Sequence, residues 1–255
     1  MQGWYFWCLC DRCSSKDDLG SEMSSLQCEC GGVIRPEHPL DPDSQYMCDT
    51  CQNSLHVDQV QMMEDALKDD LELCYSADAE ALEKVLNKHK GNDDKKSFSM
   101  SLFTFTILDK FHRQHWLILV IKWLLITGWG RTEGIKHHQL DEDTLERKLV
   151  YAKEYLAALD IVDAGLSHNR GMTLWEIHSV TSFLASKRFH EERLAPVKFV
   201  ETLASCLEIV RNVLFCLQFN REDSNEGEIR RAALDAEKKL VHGINVFQSM
   251  MNIKI

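Results

Sequence analysis

Seven of the ten cysteines in this 255-residue chain lie within its first 51 positions, at Cys8, Cys10, Cys13, Cys28, Cys30, Cys48 and Cys51. Clustered thiols in an intracellular chain point to metal binding rather than to disulfides. Cys28-x-Cys30 and, seventeen residues later, Cys48-x-x-Cys51 supply four thiolates, a complete set for a closed tetrahedral zinc site. Gly31 and Gly32 follow Cys30 and give the backbone the freedom that a metal knuckle requires. The C-x-C pair is tighter than the C-x-x-C of ordinary zinc ribbons. The other group, Cys8-x-Cys10-x-x-Cys13, offers three thiols and cannot close a four-coordinate site by itself. Either a fourth ligand comes from elsewhere, with His38 and His56 as candidates inside the chain, or the metal keeps an open position. No neighbouring Glu or His forms a general-base partner for a catalytic zinc.

Composition narrows the setting. Asp and Glu number 40 against 29 Lys and Arg, so the formal charge is −11, which disfavours the basic patch that direct nucleic-acid binding needs. The most apolar stretch, Trp116 to Trp129, is fourteen residues interrupted by Lys122, short of the ~20 that span a bilayer. It reads as a buried helix, and no membrane association is expected. The N-terminus, from Met1 to Trp7, has no basic region of the kind that opens a signal peptide. The expected setting is cytoplasmic, nuclear or both, and the expected state is a monomer. Cys74, Cys206 and Cys216 sit singly in apolar helical patterns and are expected to be small buried hydrophobes.

The elements that must carry these residues are helical from about Val57 onward, where apolar residues recur at three- and four-residue steps. Met62, Ala66, Leu71 and Cys74 outline a first helix. Asp78 can cap a second with Ala81, Leu82, Val85 and Leu86, ending near Gly91. Trp116 to Thr127 forms a third, apolar nearly all round. Asp141 caps a fourth, striped by Leu145, Leu149, Ala152, Leu156 and Leu159. A fifth spans roughly Met172 to Ser186. Pro196 opens a sixth, with Phe199, Leu203, Cys206, Val210, Val213 and Leu217 at 4-3-4-3-4 steps. The last runs from about Glu226, through Ile229, Ala233, Ala236 and Leu240. Strand signals are confined to short pieces in the head. Short linkers suggest stacked antiparallel hairpins, although no clean 34-residue repeat is readable.

Tyr5-Phe6-Trp7-Cys8-Leu9-Cys10-Asp11-Arg12-Cys13 resembles the post-SET segment of the SET-and-MYND (SMYD) protein-lysine methyltransferases, above all their arthropod branch. Ser24 to Cys28, the Gly-Gly pair and the second C-x-x-C continue the likeness. So do Leu145–Leu149, Leu159–Gly165, and Arg170–Met172 through Glu176–His178, which are similar to the tetratricopeptide-like C-terminal domain of those proteins. The resemblance covers nearly the whole chain and is most specific at the post-SET cysteines. It implies that a fourth cysteine, from a SET core, completes the three-thiol zinc site. It also implies that Phe6 packs on the adenine of S-adenosylmethionine; the alternative for Phe6 is a core aromatic beside Trp4 and Trp7. The SET core and the MYND finger that the family requires are absent from this sequence, so S-adenosylmethionine binding is expected only with such a core upstream. One stretch departs from the family: residues 92–109 intervene between His89-Lys90-Gly91 and Phe111–Trp116, as an insertion or a gene-model artefact. Their Thr, Phe and Ile content favours β structure, with a loop or an added helix as alternatives.

The expected fold is thus mainly α, with a post-SET-like zinc-binding head at 1–56 and a tetratricopeptide-like helical domain at 57–255. The expected function is that of the C-terminal part of a SMYD-like, S-adenosylmethionine-dependent protein-lysine methyltransferase, inactive as this chain alone, with lysine-containing proteins or peptides as partners. The alternative is a stand-alone zinc and helical interaction module without chemistry; a redox or metal-chaperone protein is a third class. The pairs His112/His115 and His137/His138 read as an interhelical hydrogen bond and as exposed residues, not as metal ligands. The acidic run Glu64-Asp65, Asp69-Asp70 and Glu72 reads as a solvated helix face, with a docking surface for a basic peptide as its alternative.

Overall fold

A computed structural model describes residues 8–74, 82, 83, 86, 110–130 and 137–251. The fold is mainly helical with one small antiparallel sheet. The chain divides into two compact units, Met1–Leu125 and Ile126–Ile255. No described helix is long and apolar enough to cross a membrane. Phe6, residues 92–109 and most of the second expected helix lie outside the described residues.

The first unit opens with a single helical turn, α1 (Asp11–Ser14), and a four-strand meander: β1 (Leu26–Gln27), β2 (Val33–Pro36), β3 (Tyr46–Cys48) and β4 (Ser54–Leu55). Each strand pairs antiparallel with the next, in a register that sets Leu26 opposite Ile34 and Ile34 opposite Cys48. Helix α2 (Val57–Cys74) follows. Its buried seam is Val60, Leu67 and Leu71; Met62, expected on that seam, is 70% exposed. Glu64 occupies the vacant step between Val60 and Leu67, and its side chain is only 18% exposed.

The open edge of β1 is covered by the segment before the third helix. Gln27 N–H donates to the Lys110 carbonyl at 2.7 Å, His112 N–H to Ser25 at 3.2 Å, and Trp116 N–H to Met23 at 2.9 Å. Covering the edge satisfies backbone groups that would otherwise be free to pair with another chain. Helix α3 (Trp116–Gly128) then begins at His115, whose Nδ1 accepts from the Leu117 N–H at 3.3 Å. Leu117, Ile118, Leu119, Ile121, Leu125 and Ile126 are all buried, as expected of a helix apolar nearly all round. Lys122, the interruption in that run, is buried too and donates to the Arg113 carbonyl at 2.8 Å.

The second unit is built from α4 (Glu142–Val162), α5 (His168–His190), α6 (Pro196–Cys216) and α7 (Asn225–Met251). Helix α5 packs on α4, α6 on α5 and α7 on α6, each across a short loop. Asp141 caps α4 as expected, accepting from the Thr144 N–H at 2.7 Å. Helix α5 is longer than its apolar pattern shows, because Ser167 caps it five residues before Met172. Pro196 stands in the first turn of α6, and every expected stripe residue from Phe199 to Leu217 is buried. Cys206 and Cys216 are buried, as expected. Stacked and edge-on contacts among Phe189, Phe199 and Phe247, with centroids 4.4–5.5 Å apart, close one end of this core.

Two charges interrupt that apolar interior. Lys148 on α4 is wholly buried, lies 2.7 Å from Glu176 on α5, and donates to the Trp129 carbonyl at 2.6 Å. Breaking such a pair by removing one partner is costly, whereas replacing both with apolar groups of similar volume is near neutral. Lys148→Met is therefore expected to lower stability by about 3–5 kcal/mol in urea unfolding. The double variant K148M/E176L should recover most of that loss.

Candidate metal centre

The meander explains how distant cysteines meet. In a four-strand meander the first and third turns fall at one end, so the Cys28–Gly32 turn and the Asp49–Asn53 turn are neighbours. Cys28, Cys30, Cys48 and Cys51 place their sulfurs within 4.8 Å of one another. Cys28 and Cys51 are 3.6 Å apart, and Cys30 and Cys48 are 3.5 Å apart. Disulfide sulfurs would be at about 2.05 Å. Four sulfurs at ~2.3 Å from a tetrahedral zinc would be separated by about 3.8 Å, so the donor set fits a metal of that size and preference.

Backbone N–H groups turn toward the sulfurs, as a thiolate requires. Gly32 N–H points at Cys30 Sγ and Thr50 N–H at Cys48 Sγ, each at 3.4 Å. Gly31 has φ +89°, the left-handed region that glycine adopts without steric cost. At Gly32 an added Cβ would lie 2.8 Å from Cys48 Sγ and 2.5 Å from Thr50 Oγ1, so only glycine lets the two turns approach. Asp49 braces the second turn: it accepts from the Val33 N–H at 3.0 Å and from Arg35 at 3.0 Å, and Arg35 also clasps Glu22. Such outer partners orient ligands and tune their basicity.

Acidity divides the four thiols. The Cys51 N–H, with that of Thr50, holds Cys48 down at about 7. The Cys30 N–H also favours ionisation of Cys28, but burial and the three thiols around it push Cys28 up to about 12. All four ionise together only when a cation sits among them.

The first group is also assembled. Cys8, Cys10 and Cys13 lie within 4.8 Å of one another around the turn of α1, where Ser14 N–H closes on the Cys10 carbonyl at 3.0 Å. The Cys13 N–H, then the Cys8 and Cys13 thiols, lower Cys10 to about 7, while its neighbours raise Cys13 to about 11. Among the described residues no fourth donor joins them, and neither His38 nor His56 does so. These two groups can each hold a metal ion such as zinc.

Further side chains that hold the head together escaped the sequence reading. Glu64, assigned there to a solvated face, instead takes a hydrogen bond from Trp116 Nε1 at 3.1 Å and lies 3.3 Å from His115 Nε2. Asp65 and Asp69 are exposed, so that part of the run is a solvated face. The signal for Glu64 was its place at the 4-3-4 seam between Val60 and Leu67. His115 is fully buried, and burial lowers its pKa against the pull of Glu64. His112 and His138 join no metal-ligating group among the described residues.

Cobalt(II) loading should give the ligand-field spectrum of a tetrahedral tetrathiolate site; Cys48→Ser should abolish it and Cys10→Ser should preserve it. His115 supplies a second test. The unfolded imidazole binds protons below its ordinary value of about 6.5, while the folded one resists them to lower pH. Stability is thus lost as pH falls through 6.5 toward the lowered folded value. His115→Asn, which keeps a helix-capping side chain, should flatten the dependence of melting temperature on pH between about 5 and 6.5.

No protein-family model matches the chain, and no curated protein matches it.

Proposed function

We propose that this chain is the post-SET-like and C-terminal helical portion of a SMYD-type, S-adenosylmethionine-dependent protein-lysine methyltransferase. The observation that carries the reading is the three-thiol group at Cys8, Cys10 and Cys13, gathered within 4.8 Å with no fourth ligand among the described residues. A zinc ion there needs a fourth donor, and in the family that the Tyr5–Cys13 segment resembles, a SET-core cysteine supplies it. In this reading Cys28, Cys30, Cys48 and Cys51 hold a second, closed zinc. Phe6 packs on the adenine of the methyl donor, and helices α4 to α7 stack in tetratricopeptide-like pairs beside the substrate. The zinc ions supply structure, tying the head to the catalytic body. The head's own residues close the donor pocket, and lysine-containing proteins are the substrates, in the cytoplasm or nucleus.

A second reading is favoured by a different observation. The four-thiol group is complete within the chain, and helices α5, α6 and α7 share one apolar core against which Leu156 of α4 packs. That combination suits a stand-alone zinc-binding and interaction module.

Elemental analysis and calorimetry separate the two. The chain alone should carry one tightly held zinc and show no heat of S-adenosylmethionine binding. Co-expression with a SET core of this family should raise the content to two zinc ions and create donor binding that Phe6→Ala weakens. Two tightly held zinc ions in the chain alone, or unchanged content in the presence of a SET core, would overturn the methyltransferase reading and leave the module.

A further inference from the structure

The charge of the chain is unevenly placed. Residues 8–74 hold fifteen Asp and Glu against four Lys and Arg, a difference of −11 that equals the net charge of the entire chain. The other residues hold 25 of each sign. Of the four cations in the head, Arg35 is committed to Glu22 and Asp49, and Lys68 to Glu64 and Asp65. The head therefore attracts cationic partners and repels anionic ones, while the rest of the chain is balanced.

At the end of the meander opposite the four thiols, the loop between β2 and β3 folds over a cavity of about 360 Å³. That is within the range of ~300–1,000 Å³ in which ligand pockets fall. Pro39, Leu40 and Tyr46 give it apolar walls, and Asp18, Asp41 and Arg12 line it as well. Asp18 accepts from Ser24 Oγ at 2.8 Å and Asp41 from the Asp43 N–H at 3.0 Å. Among the described residues, neither carboxylate is paired with a lysine or arginine.

We propose that this cavity receives a lysine or arginine side chain from a basic segment of a partner protein. The aliphatic stem of such a side chain lies against proline, leucine and tyrosine, and its charged end meets two unpaired carboxylates. The surrounding −11 field steers the segment toward the site, and the cavity selects the side chain. A proline-walled loop loses little conformational entropy on binding, which favours a weak but specific contact. Arg12, Cys13 and Ser15, of the three-thiol turn and beside it, also line the cavity; no methyl donor or SET core is part of it, so it stands whether or not the methyltransferase reading holds.

The test uses the full zinc-loaded chain and two fluorescein-labelled peptides of alternating alanine with lysine or with arginine, read by anisotropy near 0.15 M salt. The variant D18N/D41N should weaken binding of at least one peptide by about tenfold, on the order of 1.4 kcal/mol. Asn at position 18 tolerates the φ of 53° there. The control D43N/D69N removes the same charge outside the cavity and should change affinity by no more than about twofold, as screened surface charges do. Leu40→Arg, which fixes a cation at the wall, should abolish binding with zinc content unchanged. Equal loss in the two double variants would reduce the effect to a diffuse field and overturn the proposal, as would no binding to the unaltered chain. Spermidine competing as well as either peptide would assign the cavity to a free polyamine and overturn the partner-protein reading.

Discussion

Four sulfur atoms within 4.8 Å of one another cannot all be thiolates without a cation between them, and this constraint shapes the first unit. Its strands are two to four residues long, too short for a sheet that holds itself together. Its buried apolar residues between Cys8 and Leu55 are few: Leu26, Ile34, Pro36, and the cysteines Cys28 and Cys48. Small modules with so little core rely on metals or other staples. The register that sets Cys48 opposite Ile34 and Ile34 opposite Leu26 does two things at once. It places the two knuckles at one end and buries the three side chains in a line beneath them. Metal affinity and sheet formation are then one equilibrium, since neither the cluster nor the pairing exists in the unfolded chain.

The reading from sequence succeeded where a single physical signal dominates. Asp141 before an apolar stripe, Pro196 at a helix start, and 4-3-4-3-4 spacing through Val213 all state local rules that tertiary packing does not override. Cysteine spacing was equally direct, because paired thiols at such short intervals match the knuckles that hold a metal ion. The extension of α5 back to His168 was less legible, for its first turn carries Asn169, Arg170 and Gly171 rather than a stripe. There the Ser167 cap, and not the apolar period, sets the boundary.

What the apolar pattern could not show is which charges lie inside it. Lys148 falls at the 3-4 spacing between Leu145 and Ala152, and Glu176 at the 3-4 spacing between Thr173 and Val180. Glu64 does the same between Val60 and Leu67. Each was hidden because a charged residue is read as facing water by default. Its position on a stripe is the contrary signal, and the two signals conflict until the partner is known. Opposite charges at stripe positions of consecutive helices resolve that conflict: the two seams meet in the core, so the charges meet as well. The cost of dehydrating both is recovered only in one alignment of α4 on α5, which turns an expensive contact into a marker of register.

Metal loading sharpens the electrostatic contrast between the units rather than softening it. Four thiolates around a divalent ion leave a net charge of −2, and three leave −1, because deprotonation outweighs the charge of the ion. The head, already at −11 from its carboxylates, becomes more negative when its sites fill. Self-repulsion of that size opposes compaction and must be offset by the metal–sulfur bonds and by Arg35, which ties Glu22 to Asp49 beside the second knuckle. The same repulsion favours any arrangement that brings cations to the surface of the head. Metal occupancy and attraction for basic partners are therefore linked through one field: what fills the cysteine sites strengthens the pull on a cation, and a bound cation relieves the strain of filling them.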